Sequence, residues 1–166
     1  FNNFINDITV LKKLGLTPIV VHGGGPRIKK KLDELDIETK FIMGLRVTDE
    51  KVIKVVEDVM IEFNKEIVEA LEKRTCKAKS ITIKENNVIY AEQKNKELGY
   101  VGRPIRIDDK LIKNLIKDDF IPIVSPLGLN EKKQVYNINA DTAAGALARS
   151  LKSRRLMLMT DVEGVY

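Results

Sequence analysis

The sequence predicts an α/β fold, a three-layer αβα sandwich built around a largely parallel central sheet. Strand-like and helix-like stretches alternate along the chain, and long crossovers that contain helices connect strands running in the same direction. Of the 166 residues, 43% are hydrophobic and 32% are charged, as expected for a single domain with a sizeable core. Short β-like segments in the middle of the chain are expected to form hairpin strands near one edge of the sheet.

Four elements are predicted in the first half of the chain. Apolar residues at helical spacing indicate the helices, and capping residues, glycine or proline mark their ends. The elements are a helix over 4–14 ended by Gly15, a strand at Pro18–His22, a helix from Pro26 to about Leu35, and a helix at Asp49–Lys73 capped by Thr48 or Asp49.

The second half is predicted to contain three short β-segments, two helices and two further strands. The β-segments are 78–83, 88–91 and 100–107, and Asn86-Asn87 is expected to form a hairpin turn between the first two. The other elements are a helix opened by Asp108, a buried strand at Phe120–Ser125 ended by Pro126, a helix at Asp141–Leu151 and a last strand at Leu156–Thr160.

Three glycines, Gly23 to Gly25, separate the strand at Pro18–His22 from the helix that Pro26 begins. Glycines at such a junction let the backbone approach a negatively charged ligand, with N–H groups and the helix N-terminus directed at it. The spacing fits neither the GxGxxG nor the GxxxxGK[ST] nucleotide loop. The segment therefore predicts an anion-binding loop of another kind, and a plain tight turn is the alternative.

Two carboxamides and a carboxylate, those of Asn137, Asn139 and Asp141, alternate where a short extended segment meets a helix. In extended geometry residues two apart face the same way, so the three side chains could reach one pocket. A carboxylate at the start of the helix could also accept hydrogen bonds from its first N–H groups. An ordinary N-cap after an edge strand is therefore the alternative to a ligand site.

The composition argues against several classes of function. The net charge is +5, but acidic residues are interleaved with the basic ones and aromatic residues make up only 5%, which disfavours nucleic-acid binding. No apolar run approaches the length of a membrane span. The single cysteine, Cys76, provides neither a disulfide nor a metal-ligand cluster, so no metal site is predicted. Together with the lack of a signal-like segment, the single cysteine favours a cytoplasmic location.

Four motifs occur in a fixed order along the chain: His22-Gly-Gly-Gly-Pro26, Gly44-Leu-Arg-Val-Thr48, Asn137-Ile-Asn-Ala-Asp141 and Leu158-Met-Thr-Asp-Val-Glu-Gly-Val165. With them the chain resembles the amino-acid kinase family, most closely its acetylglutamate branch. The resemblance implies transfer of the γ-phosphoryl group of ATP to the side-chain carboxylate of N-acetyl-L-glutamate, which gives N-acetylglutamyl 5-phosphate in arginine biosynthesis. Magnesium would arrive bound to ATP.

The resemblance also assigns roles to individual residues. Backbone N–H groups of Gly24 and Gly25 would bind the acceptor carboxylate and the phosphoryl oxygens, and Arg46 would clamp the α-carboxylate of the substrate. Asn137 would hydrogen-bond the substrate's amide or carboxylate, with Asn139 beside it. For Arg46 the alternative is a surface arginine in a loop.

Asp141 is predicted to be a catalytic organiser that holds lysines by charge-assisted hydrogen bonds, because a carboxylate acceptor has no proton for a general base to remove. His22, the only histidine, is expected to brace the glycine loop. The residues expected to border ATP, for which a simple acidic turn is the alternative, are Asp161, Val162, Glu163, Gly164, Val165 and Tyr166.

Two parts of the family pattern have no counterpart in the sequence: an initial strand with a lysine-containing Gly-Gly loop, and a second lysine in the nucleotide lobe. We therefore expect an internal fragment that is truncated at both ends and inactive on its own. Residues 1–153 would be the acetylglutamate-binding lobe without its first strand, and residues 154–166 would begin the nucleotide-binding lobe. The full-length parent is expected to be a homo-oligomer, a dimer or a hexamer.

Two other functions remain open from the sequence. One is another amino-acid kinase that acts on a carboxylate or carbamate. The other is a truncated, non-catalytic binding or assembly module, in which the apolar residues of Phe1–Leu14 would line a subunit contact.

Overall fold

The structure, a computed structural model, describes residues 1–159 of the chain. These residues form five α-helices, nine strands and a 3₁₀ turn at Lys96–Leu98. The helices are α1 (Asn2–Lys13), α2 (Gly25–Glu34), α3 (Glu50–Glu72), α4 (Asp109–Lys117) and α5 (Ala140–Leu151). The strands are β1 (Val20–Val21), β2 (Phe41–Ile42), β3 (Leu45–Arg46), β4 (Ala78–Ile81), β5 (Ile89–Gln93), β6 (Gly102–Ile107), β7 (Ile121–Val124), β8 (Leu127–Leu129) and β9 (Val135–Asn137).

A parallel sheet in the order β1-β7-β4 lies at the centre of the fold. Helices cover both of its faces, so all four residues of β7 are buried. On one face Ile5 of α1 and Ile67 of α3 pack with Ile121 of β7. On the other face Ile112 of α4 packs in a second cluster, which includes Val124 of β7. The three-layer αβα arrangement predicted from the sequence is confirmed.

A second sheet, in the order β6-β5-β8-β9, accompanies the parallel one. In it β5 pairs antiparallel with β6 and parallel with β8, and β8 pairs antiparallel with β9. The predicted hairpin at Asn86-Asn87 is therefore wrong, because β4 belongs to the parallel sheet and β5 to the second one. The turn itself exists, with Asn86 at φ +65°, but it carries the chain from one sheet to the other. Alternating polarity predicts a strand without identifying its partner.

The last predicted strand is also absent from the part of the chain that the structure describes. Residues 156–159 have no strand assignment, and the side chains from Leu156 to Met159 are between 49% and 68% exposed. A strand requires a neighbouring strand to pair with its backbone groups, and none of the nine described strands pairs with this segment. Thr160, where the prediction ended, lies outside the described residues.

The helix ends follow the local signals in the sequence. Gly15, at φ +81°, directly follows the C-cap of α1, as predicted. Asp49, rather than Thr48, caps α3, since its carboxylate accepts from the N–H groups of Lys51 and Val52. Asp108 caps α4 in the same way. Within residues 1–159 no helix combines the length and hydropathy that crossing a membrane requires.

Candidate functional site

The glycine loop, Gly23 to Gly25, lies at the carboxyl end of β1 and beside α3. Gly24 is the N-cap of α2, and Pro26 stands in the first turn, as predicted. A Cβ atom at Gly24 would lie 2.8 Å from Sδ of Met60 on α3, so any larger residue would displace that side chain. A Cβ atom at Gly25 would meet open space. The loop therefore packs closely against α3 on one side and is open on the other.

The start of α5 lies beside the same loop. A Cβ atom at Gly23 would be 3.9 Å from Cβ of Ala140, the first residue of α5. The N-termini of α2 and α5 thus approach each other at the carboxyl end of β1, where their dipoles and first N–H groups favour an anion. None of the described side chains caps α2. Its first N–H groups are therefore available to a ligand.

Asn139, and not Asp141, caps α5. Its Oδ1 atom accepts from the backbone N–H of Thr142 at 3.0 Å and from the hydroxyl of the same residue at 3.1 Å. The helix begins at Ala140, one residue before the predicted start at Asp141, because a carboxamide caps an N-terminus as well as a carboxylate does. Asp141 lies in the first turn and is exposed. The cap leaves the Nδ2 group of Asn139 free to meet a ligand.

Arg46, on the hairpin formed by β2 and β3, is buried against the glycine loop and is only 9% exposed. Its Nη2 donates to the carbonyl oxygen of Gly25 at 3.3 Å, and its Nη1 donates to Oγ1 of Thr39 at 2.9 Å. The guanidinium carbon lies 4.7 Å from the ring centroid of Phe41. Burial lowers the pKa of Arg46, and the Asp33 carboxylate opposes this shift. The reading of Arg46 as a surface residue is therefore wrong.

A cavity of about 490 Å³ opens beside Arg46. Its lining includes the carboxylates of Asp33, Asp36 and Glu38, and Lys29 pairs with Asp33 at its rim. Three carboxylates disfavour a negatively charged ligand in this cavity. The glycine loop and the two helix N-termini, which do not line this cavity, offer the more favourable environment for an anion.

Asn137 is linked to Arg46 through Thr48. The Nδ2 group of Asn137 donates to Oγ1 of Thr48 at 3.3 Å, and this hydroxyl donates to the carbonyl oxygen of Arg46 at 2.9 Å. Thr48 is fully buried, and Gly99, at φ +68°, approaches so closely that a Cβ atom there would overlap the carbonyl of Thr48. This role of Thr48 was not predicted from the sequence, although the residue closes the Gly-Leu-Arg-Val-Thr motif.

His22 joins the glycine loop to α3. Its Nδ1 atom lies 3.0 Å from the carbonyl oxygen of Gly23, and its Nε2 atom lies 3.2 Å from Nδ2 of Asn64. Burial lowers the pKa of His22 to about 4; the hydrogen bond to Gly23 opposes this shift, and the charge of Arg27 adds to it. The predicted bracing role of His22 is confirmed. Asn64 was not predicted to contribute, although an asparagine on the apolar face of α3 is a signal that the sequence contains.

The structure thus brings Arg46 into contact with the glycine loop, links Asn137 to Arg46 through Thr48, and places the start of α5, capped by Asn139, beside Gly23. Tyr136 and Ile138 are buried in the core, so the predicted alternation holds as far as Asn139, whereas Asp141 already belongs to the first turn of α5. The segment expected to border ATP, 161–166, lies outside the described residues. Within residues 1–159 no three His, Cys, Asp or Glu side chains are arranged to hold a metal ion.

Proteins with similar sequences have one recurrent name. An acetylglutamate kinase from Pelagibacter ubique is 58% identical over 165 residues, which are 99% of this chain and 57% of that protein. An acetylglutamate kinase from Petrotoga mobilis is 46% identical over 162 residues, 96% of this chain and 54% of that protein. The chain therefore spans little more than half the length of these curated relatives.

Solved structures have the same fold. The crystal structure of smu.665 from Streptococcus mutans UA159 superimposes with a TM-score of 0.91 at 31% identity, over 98% of this chain and 67% of that one. Carbamate kinase from Giardia lamblia gives a TM-score of 0.68 at 18% identity, over 97% of this chain and 61% of that one. The sequence model of the Amino acid kinase family matches residues 1–166. By this match and its fold, the chain belongs to the amino acid kinase family.

Proposed function

We propose that the protein phosphorylates the side-chain carboxylate of N-acetyl-L-glutamate with ATP, a step of arginine biosynthesis. The observation that carries the proposal is the contact between Arg46 and Gly25, which unites a buried guanidinium with the N-terminus of α2. The relatives named acetylglutamate kinase support the choice of substrate. We also propose that residues 1–153 form the acid-binding lobe and that residues 154–166 begin the nucleotide-binding lobe.

Transfer of a phosphoryl group to a carboxylate brings two anions together, so catalysis consists mainly of positioning and charge stabilisation. In the proposed arrangement Gly24 and Gly25 direct N–H groups at the acceptor carboxylate and the phosphoryl oxygens. Arg46 binds the α-carboxylate through donors that Thr39 and Gly25 do not use. Because no proton leaves the acceptor, the step needs no general base.

The two asparagines would recognise the acetamide group of the substrate through hydrogen bonds. Asn137, held by Thr48, presents its carbonyl oxygen, and Asn139 presents the Nδ2 group that the helix cap leaves free. Asp141 keeps its proposed role as an organiser of lysines. ATP supplies the phosphoryl group, with magnesium bound to its phosphates, and residues 161–166 are proposed to border the nucleotide.

We propose a cytoplasmic homo-oligomer, a dimer or a hexamer. Apolar side chains on and after α1 are exposed, among them Val10 at 53% and Leu14 at 71%. Such side chains would suit a contact between subunits. Light scattering coupled to gel filtration tests the oligomeric state, and a monomer at all concentrations would contradict this part of the proposal.

The activity is best tested in a chimera. Residues 1–166 would replace the matching span of the Pelagibacter ubique relative, and ADP release would be measured with ATP, magnesium and either N-acetyl-L-glutamate or L-glutamate. We expect turnover of roughly 1–100 per second with the acetylated acid, the ordinary range for kinases, and much slower turnover with glutamate. A folded chimera that is inactive, or equally active with both acids, would overturn the proposed function.

A further inference from the structure

Asn64 is a fully buried polar residue on the otherwise apolar face of α3. Its Nδ2 atom lies 2.9 Å from the carbonyl oxygen of Ile123 and 3.2 Å from Nε2 of His22. A carbonyl oxygen can only accept, so the atom facing Ile123 must be the amide nitrogen, and one of its two hydrogens is used there. The second hydrogen is donated to Nε2 of His22.

The hydrogen bond from this amide favours one tautomer of His22. Because Nε2 accepts a hydrogen bond, the neutral ring carries its proton on Nδ1. The carbonyl oxygen of Gly23, 3.0 Å from Nδ1, can only accept, so Nδ1 donates to it. Burial lowers the pKa of His22 to about 4, and the ring therefore stays neutral near pH 7.

The carbonyl of Gly23 in turn determines the direction of the next N–H group. In a planar trans peptide the C=O of Gly23 and the N–H of Gly24 point in opposite directions. Holding the carbonyl against His22 turns the Gly24 N–H away from the histidine, at the N-terminus of α2. Among the described residues no side chain caps this N-terminus, so the N–H group can bind a ligand.

Packing alone gives no reason for an asparagine at this position. The Oδ1 atom of Asn64 is buried without a partner among the described residues. An unsatisfied buried acceptor costs roughly 1–3 kcal/mol, and an apolar residue would avoid that cost. The two hydrogen bonds that Asn64 donates are what distinguishes it from a leucine here.

We propose that Asn64 is a positioning residue of the anion-binding loop. By selecting the Nδ1-protonated tautomer of His22, it orients the peptide between Gly23 and Gly24 so that the Gly24 N–H faces the oxygens of the ligand. The orientation of this peptide follows from the hydrogen bonds described above. Its effect on ligand binding rests on the proposed function.

The tautomer can be read directly, because His22 is the only histidine in the 166 residues. In ¹⁵N-labelled protein at pH 7, spectra correlating ring nitrogens with ring protons should show an Nδ1-protonated imidazole. Asn64→Leu should shift it toward the Nε2-protonated form. Asn64→Asp, whose carboxylate can only accept a hydrogen bond, should have the same effect. It serves as the test variant if Asn64→Leu fails to fold. Ile67→Val, a buried change on the same helix, should leave the spectrum unaltered.

An Nε2-protonated ring in the wild type, or an unchanged tautomer in both Asn64 variants, would overturn the proposal. Calorimetric titration with N-acetyl-L-glutamate tests the consequence: Asn64→Leu should bind about tenfold more weakly or worse, and Ile67→Val should bind normally. Equal affinity of the Asn64 variants and the wild type would also overturn it. If the wild type itself binds no acetylglutamate, the proposed function fails. The tautomer measurement alone then tests the inference about Asn64.

Discussion

The side-chain amide of Asn137 donates to the hydroxyl oxygen of Thr48, 3.3 Å away and 89 residues earlier in the chain. Because Thr48 also donates to the carbonyl oxygen of Arg46, one buried hydroxyl ties together the two segments proposed to bind the substrate. Thr48 is fully buried, so removal of its hydroxyl would leave both partners short of a hydrogen bond.

Thr48→Val keeps the shape of the side chain and removes the hydroxyl. We expect the free energy of unfolding to fall by roughly 1–3 kcal/mol, since two partly buried groups lose their hydrogen bond, and acetylglutamate binding to weaken as well. Urea denaturation and calorimetry measure the two effects. Thr9→Val is the matched control, because Thr9 is a buried threonine that donates within α1, away from the loop. Equal acetylglutamate affinity in Thr48→Val and Thr9→Val would contradict this role.

Arg46→Lys keeps the positive charge and removes the planar fork. A lysine cannot contact Thr39, Gly25 and a carboxylate with the same geometry, so acetylglutamate should bind more weakly by roughly 1–3 kcal/mol. Calorimetric titration checks this value. Unchanged affinity in a folded variant would remove Arg46 from the site.

Asn139→Asp separates helix capping from ligand binding. An aspartate caps α5 as well as asparagine does, so stability should change by less than about 0.5 kcal/mol. The added negative charge should weaken binding of the acidic substrate by about tenfold or more. Asn139→Ala, the comparison variant, should cost about 1 kcal/mol of stability through loss of the cap. Full affinity in the aspartate variant would show that Asn139 lies away from the ligand.

The low pKa of His22 makes stability depend on pH. The ring titrates at about 4 in the folded state and 6.5 in the unfolded state, so between these values the unfolded chain binds the extra proton. The contribution is therefore fully present above pH 6.5 and declines toward pH 4, by up to about 1.4 kcal/mol per pH unit. Urea denaturation of wild type and His22→Asn between pH 7 and pH 4 measures it. Parallel stability curves for the two proteins would disprove the shift.

Local signals in the sequence predicted most of the elements. The caps at Asp49 and Asp108 and the glycine at position 15 mark helix ends through hydrogen bonds or backbone angles that involve neighbouring residues. Strand partners depend on the whole topology. The turn at Asn86 could therefore be predicted, but not the fact that it joins two different sheets.

In the candidate site too, local motifs could be predicted from the sequence, whereas long-range contacts could not. The glycine loop and the alternating asparagines have local motifs, and Arg46 belongs to a recognisable segment. The contacts that hold them, from Thr48 to Asn137 and from Asn64 to His22, join residues far apart in sequence. Nothing in the residues around Thr48 or Asn64 specifies these partners, so only the folded arrangement identifies them.

The central claim is that Gly24, Gly25, Arg46 and Asn137 form one site for N-acetyl-L-glutamate. Calorimetric titration of the chain with N-acetyl-L-glutamate and with L-glutamate tests it most directly. We expect measurable binding of the acetylated acid and at least about tenfold weaker binding of glutamate, which lacks the acetamide and carries an ammonium group near the two helix N-termini. Equal affinity for the two acids, or no binding of N-acetyl-L-glutamate by the folded chain, would contradict the claim.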